Sequence, residues 1–207
     1  MTVESAGELY LWLSAALDLP DAALLEPEFA DLGRDCARAL SPAAELPEVE
    51  AFRAACADGR PMDERLLAVQ REHARLFIGP PQAVIRPYES CFLEGDRLMA
   101  DCARAVHEFY AGAGIVFDGA VCRDAPDHIA VELNALAMLC LGRTGHAVAE
   151  RERLEQAFLA AHLGRWGHPF AARLLDATRE PLYRAAAELL GLAVSRFHRP
   201  CAGGEGR

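Results

Sequence analysis

The chain has 207 residues and 31 carboxylate side chains, and all 21 of its Lys+Arg residues are arginines, so the formal net charge is −10. This length predicts one domain that is large enough to bury a core. The absence of lysine excludes a P-loop phosphate site and a pyridoxal Schiff base, and the acidic balance argues against a nucleic-acid-binding protein.

Helical periodicity dominates the first fifth of the sequence. Apolar residues recur three and four positions apart over residues 9–19, a pattern that predicts an amphipathic helix, and Pro20 stops it. Asp21 begins a second amphipathic stretch that runs through Phe29, and residues 40–47 form a connector with two prolines. Alternation with period two, which would indicate strands, is absent.

The middle of the chain continues the helical pattern with one clear interruption. A short helix is predicted to end near Gly59, and Pro61 suits the start of a helix that continues to Phe77. An irregular stretch follows over residues 78–88. A long helix is then predicted to resume near Asp96, with Met99 and Tyr110 among the residues on its apolar face.

A second irregular stretch over residues 115–125 precedes a helix that Pro126 and Asp127 open. Three more helices are predicted at 147–163, 169–177 and 181–197. Residues 200–207 are rich in glycine, and we expect them to be disordered. The sequence thus predicts an all-α fold over residues 1–199, a single-domain helical bundle of about eight or nine helices.

Cysteine spacing and hydropathy indicate where the protein resides. The seven cysteines are too far apart in the sequence for a C-x-x-C pair, which favours reduced thiols. The N-terminus lacks the pattern of a secretory leader, and no apolar run is long enough to span a membrane. We expect a cytoplasmic protein.

Enzyme motifs are incomplete. His107 and Glu108 begin an H-E-x-x-H pattern, but Ala111 stands where the second histidine of a zinc pair would be. Gly112 and Gly114 begin a G-x-G-x-x-G pattern, yet no strand precedes them, and the end of a helix accounts for both. No catalytic residue and no metal site is predicted.

Three clusters carry a more specific signal. They read Glu72-His73-Ala74-Arg75-Leu76-Phe77-Ile78-Gly79-Pro80, then Pro87-Tyr88-Glu89-Ser90, then Pro126-Asp127-His128-Ile129-Ala130-Val131-Glu132-Leu133. In this order and separation, on an acidic helical chain, they resemble the TorD/DmsD family of chaperones for molybdenum-cofactor enzymes. The run from His162 through Trp166 to Phe170 is also similar to the family, and the resemblance covers roughly residues 60–195.

The resemblance implies binding without turnover. Members of the family hold the twin-arginine signal peptide of an apo-enzyme of the dimethyl-sulfoxide-reductase type and delay its export until the cofactor is inserted. It also implies that no cofactor is needed, although some members bind guanine nucleotide weakly, and that the chain is a monomer or a domain-swapped dimer. The pair that the family uses in peptide recognition corresponds to Asp127 and His128.

The chemistry of the clusters fits that ligand. Two guanidinium groups call for carboxylates, because bidentate Arg–carboxylate bonds are strong and directional, and the apolar segment that follows calls for an apolar groove. The predicted signal-peptide-binding residues are Asp127, His128, Glu132, Tyr88, Glu89 and Phe77.

Structural roles remain open for each of these residues. Asp127 suits the N-terminal cap of a helix, and His128 and Glu132, four apart, could pair on one helix face. Tyr88 could anchor its loop while Glu89 caps the next helix. Phe77 could belong to the core, as could Trp166 and Phe170, and Glu72 and Arg75 could bridge each other.

One position departs from the family pattern. His73 stands where an aromatic or other bulky residue is commoner in the first cluster, which leaves open the chemistry of the groove on this face. Two other functions are alternatives to the chaperone, namely a nucleotide-binding maturation factor and a structural helical subunit of an oxidoreductase complex.

Overall fold

The computed structural model describes residues 2–42, 46–79, 82–95, 101–120 and 122–197. These ranges contain ten α-helices, which are α1 (Val3–Leu17), α2 (Pro27–Leu40), α3 (Pro47–Cys56), α4 (Met62–His73), α5 (Glu89–Leu93), α6 (Asp101–Gly112), α7 (Ile129–Cys140), α8 (Val148–Ala161), α9 (Leu163–Ala177) and α10 (Pro181–Phe197). The described ranges hold no strand beyond an isolated bridge between Tyr88 and His128. The predicted all-α fold is confirmed, with slightly more helices than predicted.

The core is built around α1 and α10. The first of these packs chiefly along α7, and α10 packs against α9 and α3. Large side chains of α1, including Leu9, Trp12 and Leu13, are almost completely buried. Each such side chain stabilises the fold by roughly 1.5–3 kcal/mol through removal of apolar surface from water. No helix of the described part of the chain is long and apolar enough to cross a membrane.

The C-terminal end of α1 differs from the sequence prediction. The helix ends at Leu17 with Asp18 as its cap, so Leu19 leaves the apolar stripe and is 52% exposed. The Asp18 carboxylate accepts the backbone N–H of Leu19 at 2.7 Å. The amphipathic stretch predicted from Asp21 divides into a 3₁₀ turn at Ala22–Leu25 and α2, because Pro27 starts a new helix.

The helix predicted to run to Phe77 winds more widely in its last turn. After α4 the chain forms a π-helical turn at Ala74–Ile78, closed by a hydrogen bond of 2.7 Å from Gly79 N–H to the Ala74 carbonyl. Gly79 then takes a φ of +83°, which suits a residue without a Cβ. This geometry turns Ile78 outward, where it is 62% exposed.

Two helix starts and one short helix also differ from the prediction. The helix that Pro126 was predicted to open begins later, at Ile129, and α9 begins at Leu163 with Pro169 inside it. An internal proline costs roughly 3 kcal/mol, and burial of Leu163 and Trp166 in the early turns offsets that cost. The short helix α5 was not predicted.

Two predictions lie outside the described residues. One is the start of a helix near Asp96, since the described part of α6 begins at Asp101, and the other is disorder over 200–207.

Candidate functional site

The second and third sequence clusters meet in a short antiparallel contact. Tyr88 and His128 form the isolated bridge, flanked by hydrogen bonds from Ile129 N–H to the Pro87 carbonyl and from Glu89 N–H to the Asp127 carbonyl, both 2.9 Å. Positions separated by about forty residues in the sequence are thereby fixed side by side.

Asp127 is completely buried, and its carboxylate accepts hydrogen bonds from α5 across this contact. Its Oδ2 accepts the backbone N–H of Ser90 at 3.1 Å and the Ser90 hydroxyl at 2.6 Å. Ser90 lies in the first turn of α5, so the Asp127 carboxylate caps that helix. The capping role open to Asp127 is therefore observed, but on a different helix from the expected one.

His128 is the N-cap of α7. Its Nδ1 accepts the backbone N–H of Ala130 at 3.2 Å, and its ring lies edge-on to Tyr88 with centroids 5.0 Å apart. Burial lowers the pKa of His128, which favours the neutral ring. The side chains of His128 and Glu132 hydrogen bond to different partners, so the interpretation of a pair on one helix face was wrong, because His128 precedes the helix.

Glu132 points into the interior of the protein. It is completely buried, and its Oε2 accepts the indole N–H of Trp166 at 3.3 Å. Burial, together with the neighbouring carboxylate of Glu89, raises the pKa of Glu132 well above its ordinary value, which favours the protonated carboxyl group.

Glu89, at the start of α5, is also completely buried. Its Oε2 lies 3.0 Å from His162 Nδ1, and its Oε1 lies 3.9 Å from the guanidinium of Arg165. Glu89 thus ties α5 to α9, whereas capping of the next helix by its side chain is not observed. Sequence reasoning did not place His162 and Trp166 in the site, although their spacing of four within the family-like run was a usable signal.

Two open cavities of about 510 Å³ each flank this buried network. We name them the Phe77 cavity and the Met138 cavity after one lining residue of each. The residues that line both are Asp18, Leu19, Arg123 and Asp124. The remaining lining residues of the Phe77 cavity are Leu17, His73, Phe77, Ile78, Gln82, Ala83, Arg86, Pro87, Tyr88 and His128. Those of the Met138 cavity are Ser14, Tyr110, Ile115, Val116, Phe117, Asp118, Cys122, Ala130, Val131, Asn134, Ala135 and Met138.

Three of the four residues in the shared wall are charged, and the fourth, Leu19, is one of the exposed apolar residues around the cavities. The Tyr88 hydroxyl donates to Asp124 Oδ1 at 3.1 Å, which fixes that carboxylate beside the Phe77 cavity. The exposed fractions of Leu19, Ile78 and Val116 are 52%, 62% and 86%. These three side chains place exposed apolar surface beside the carboxylates of the shared wall.

The predicted site residues fall into two sets. Phe77, Tyr88 and His128 line the Phe77 cavity, and Phe77 also packs on the core through Phe170 and Tyr183. The carboxylates Asp127, Glu89 and Glu132 lie in the interior and support the bridge and α5. The shared-wall residues Asp18 and Asp124 were missed, since neither belongs to a quoted cluster.

The first cluster packs on α10 and the turn before it. Glu72 and Arg75 form the bidentate pair that their spacing allowed, at 2.7 and 2.6 Å, and Thr178 also donates to Glu72 at 2.6 Å. The hydrogen bonds from Arg75 and Thr178 lower the pKa of the Glu72 carboxyl group. The pair is structural and lies outside both cavities.

This arrangement defines an all-helical protein with a candidate binding groove, the name we use for the two adjoining cavities and the wall they share. A model of the nitrate reductase delta subunit family matches residues 39–172, more than half of the chain. The protein therefore belongs to this TorD-like family, and the resemblance inferred from the sequence clusters is confirmed.

A solved structure shares the fold. The chain is 20% identical to a protein of Archaeoglobus fulgidus described as a redox enzyme maturation protein, with a TM-score of 0.58, over 88% of this chain and 90% of that one. At this identity the likeness shows a common helical architecture. No curated protein matches the sequence.

Proposed function

We propose that the protein is a cytoplasmic chaperone that binds the twin-arginine signal peptide of an apo-molybdoenzyme of the dimethyl-sulfoxide-reductase type and delays export until the cofactor is inserted. The observation that carries the proposal is the acidic wall shared by two cavities, with Asp18 and Asp124 at the junction and exposed apolar side chains along the rims.

The shared wall suits two guanidinium groups. Asp18 and Asp124 offer carboxylate oxygens at the surface, where a planar guanidinium can make two parallel hydrogen bonds to each carboxylate. Arg123 lies on the same wall, so a bound peptide would share the wall with one cationic side chain of the protein.

The Met138 cavity suits the apolar segment that follows the arginines. Val116, Phe117, Val131 and Met138 line it, and α1 and α7 form its base. An amphipathic or apolar peptide segment gains free energy by burying its side chains against such a surface. The proximity of acidic and apolar surfaces matches the order of a twin-arginine leader, in which the charged pair precedes the apolar stretch.

In the proposed complex, the buried carboxylates support the binding surface and do not contact the peptide. A peptide in the groove would contact Tyr88, His128 and Phe77, whereas Asp127 and Glu89 hold the bridge and α5 behind them. We infer that the two members of the family's Asp-His pair have different roles here. Asp127 positions the wall of the Phe77 cavity, and His128 lines it.

Family membership supports the wider role. The matching family is described as a nitrate reductase delta subunit, and the similar solved structure as a maturation protein for redox enzymes. Both descriptions point to an oxidoreductase as the partner, and action before export would place this chain in the cytoplasm.

Calorimetric titration with a synthetic leader peptide tests the proposal. We expect binding of the Arg-Arg peptide and weaker binding of a Lys-Lys peptide, because an ammonium group lacks the fork that matches a carboxylate. Absence of binding to the Arg-Arg peptide, or equal affinity for the two peptides, would contradict the proposal.

The family's description favours one alternative, a helical subunit that stays with the reductase. Co-purification separates the two roles, because a chaperone is recovered with the apo-enzyme and released from the mature enzyme, whereas a subunit remains with both.

A further inference from the structure

The face of α7 that lines the Met138 cavity carries one polar residue among apolar ones. Val131, Asn134, Ala135 and Met138 follow the spacing of one helix face, and all four line the cavity. Asn134 is exposed, and its side-chain amide makes no hydrogen bond to any described residue. A free amide donor and a free amide acceptor therefore lie in the middle of an otherwise apolar face.

The two hydroxyl groups in the lining of this cavity differ from Asn134, because each has a partner within the protein. The Ser14 hydroxyl donates to the Ala130 carbonyl at 2.8 Å, and the Tyr110 hydroxyl donates to the Pro126 carbonyl at 2.9 Å. The hydrogen-bonding capacity of Asn134, in contrast, is open to a ligand in the cavity.

A second set of free hydrogen-bonding groups lies in the segment after α6. Val116 and Phe117 line the same cavity, in a stretch without regular secondary structure. Their main-chain N–H and C=O groups make no hydrogen bonds to the described residues, whereas the preceding Ile115 N–H donates to the Tyr110 carbonyl at 2.9 Å. The cavity thus offers free main-chain groups from one element and a free amide from another.

These groups match the main chain of an extended peptide. A peptide that buries apolar side chains in the cavity also takes its own N–H and C=O groups out of water, and each such group without a partner costs free energy. An α-helical segment satisfies those groups internally. An extended segment needs partners from the protein, and Asn134, Val116 and Phe117 each supply a donor and an acceptor.

The packing of α1 on α7 fixes where Asn134 lies relative to the proposed arginine site. The two helices run antiparallel, because an early residue of α1 touches the C-terminal end of α7 whereas Ser14 bonds to Ala130. Asp18 lies four residues beyond Ser14, and Asn134 lies four residues beyond Ala130 in the opposite direction. At the helical rise per residue, Asp18 and Asn134 are about 12 Å apart along the helix axes. An extended chain covers that distance in about four residues.

We propose, on the basis of the proposed function, that the apolar segment of the leader binds in an extended conformation, and that Asn134 and the main chain of Val116 and Phe117 hydrogen bond to its peptide groups. Asn134 is a positioning residue that fixes the register of the segment relative to the arginine pair. Main-chain bonds do not depend on the side chains of the segment, so the groove selects a conformation and a register rather than one apolar sequence.

An ester scan of the leader tests this assignment. Each peptide carries Arg-Arg and an apolar segment in which one amide, at the second to the sixth position after the pair, is replaced by an ester that lacks the N–H donor. Calorimetric titration of the wild-type protein should show a position about four residues after the pair at which the ester weakens binding by roughly three- to tenfold, the contribution of one net hydrogen bond.

Asn134→Leu identifies the partner of that amide. Leucine has a similar size and no hydrogen-bonding group, so the cost of the ester at the sensitive position should disappear in this variant, whatever its affinity for the all-amide peptide. Gln156→Leu removes an amide from α8, outside both cavities, and is the matched control in which the cost of the ester should persist. Urea unfolding establishes that both variants are folded before titration.

The outcomes separate the role of Asn134 from the proposed function. If the wild-type protein binds the Arg-Arg peptide and no ester weakens binding, the segment is not held by its main chain. If the ester costs Asn134→Leu as much as it costs the wild type, Asn134 is not its partner. Either result overturns the assignment and leaves the proposed function standing, whereas absence of binding to every Arg-Arg peptide overturns both.

Discussion

Asp127 and Ser90 are joined by two hydrogen bonds to one carboxylate oxygen, one from the Ser90 backbone N–H at 3.1 Å and one from its hydroxyl at 2.6 Å. The two residues are 37 positions apart in the sequence, and the contact caps a helix of only five residues. Helices this short are marginal by themselves, so α5 depends on this contact for its position behind the groove wall.

Removal of the Asp127 carboxylate should therefore act first on stability. We expect Asp127→Ala to lower the free energy of unfolding by about 1–3 kcal/mol, through loss of a cap and exposure of buried donors, and to weaken peptide binding as a consequence. Urea unfolding measures the first effect. Ser90→Ala is the matched control and should cost less, because it removes only the hydroxyl. Unchanged stability of Asp127→Ala together with lost peptide binding would instead show a direct contact with the peptide.

The raised pKa of Glu132 predicts a pH dependence of stability. Because folding raises the pKa of Glu132, its contribution is fully present below the pKa of the unfolded chain and is lost as the pH rises through the folded value. Glu132→Gln imitates the protonated form, so its stability should fall less steeply than that of the wild type between acidic pH and pH 9. Urea unfolding across this range tests the prediction, with the exposed Glu152→Gln as control. Parallel pH profiles of Glu132→Gln and the wild type would contradict it.

The exposed rim of the groove should matter for binding and little for folding. We expect Leu19→Ser and Val116→Ser each to weaken leader-peptide binding by roughly tenfold through lost apolar burial. Since both side chains are largely exposed, the free energy of unfolding should change by less than about 0.5 kcal/mol. Val148→Ser, a comparably exposed position at the start of α8, is the control and should leave the affinity measured by calorimetry unchanged. Equal losses at Val148 and at the rim would show that the rim is not the binding surface.

The edge of the Phe77 cavity depends on Gly79. A Cβ added there would lie 2.5 Å from the carbonyl carbon of Gln82, at a φ of +83°. We expect Gly79→Ala to cost more stability than Gly145→Ala, which has a similar φ of +77° but nothing within 4 Å of the added atom. The left-handed conformation alone costs about 1–2 kcal/mol, and the clash adds to it only at Gly79. Equal unfolding midpoints for the two variants in urea would contradict this reading of the π-helical turn.

The sequence predicted the helices well where periodicity and proline placement agreed. It identified α1, α7 and α10 as helices, because burial of one apolar face determines where a helix forms. It also identified the connectors between the clusters. It misplaced the start of α9 at Pro169, since the burial that compensates an internal proline comes from other helices. It placed Leu19 on an apolar face for a similar reason, because the last turn of α1 is set by local capping at Asp18.

The sequence predicted which segments of the chain form the candidate site, but it predicted the contacts between their side chains less well. The clusters around Tyr88 and His128 do meet, as the family resemblance implied. Which carboxylates are buried and which line the groove depends on the crossing of α5, α7 and α9, and sequence spacing does not encode that. His128 and Glu132 illustrate the limit, since a spacing of four places them on one face only if the helix includes both.

In the proposed complex, Asp18 and Asp124 receive the arginine pair of a leader peptide. The most direct measurement is a double-mutant cycle by calorimetry, with the wild-type protein and Asp18→Asn/Asp124→Asn titrated against an Arg-Arg peptide and its Gln-Gln counterpart. The control variant Asp63→Asn/Glu64→Gln removes two exposed carboxylates near the other end of α4, where Glu64 lies about 13 Å along the helix from His73.

We predict that Asp18→Asn/Asp124→Asn loses at least roughly tenfold in affinity for the Arg-Arg peptide and binds the Gln-Gln peptide as the wild type does, while the control variant loses little. Undiminished binding of the Arg-Arg peptide by Asp18→Asn/Asp124→Asn, or an equal loss in the control variant, would contradict the claim.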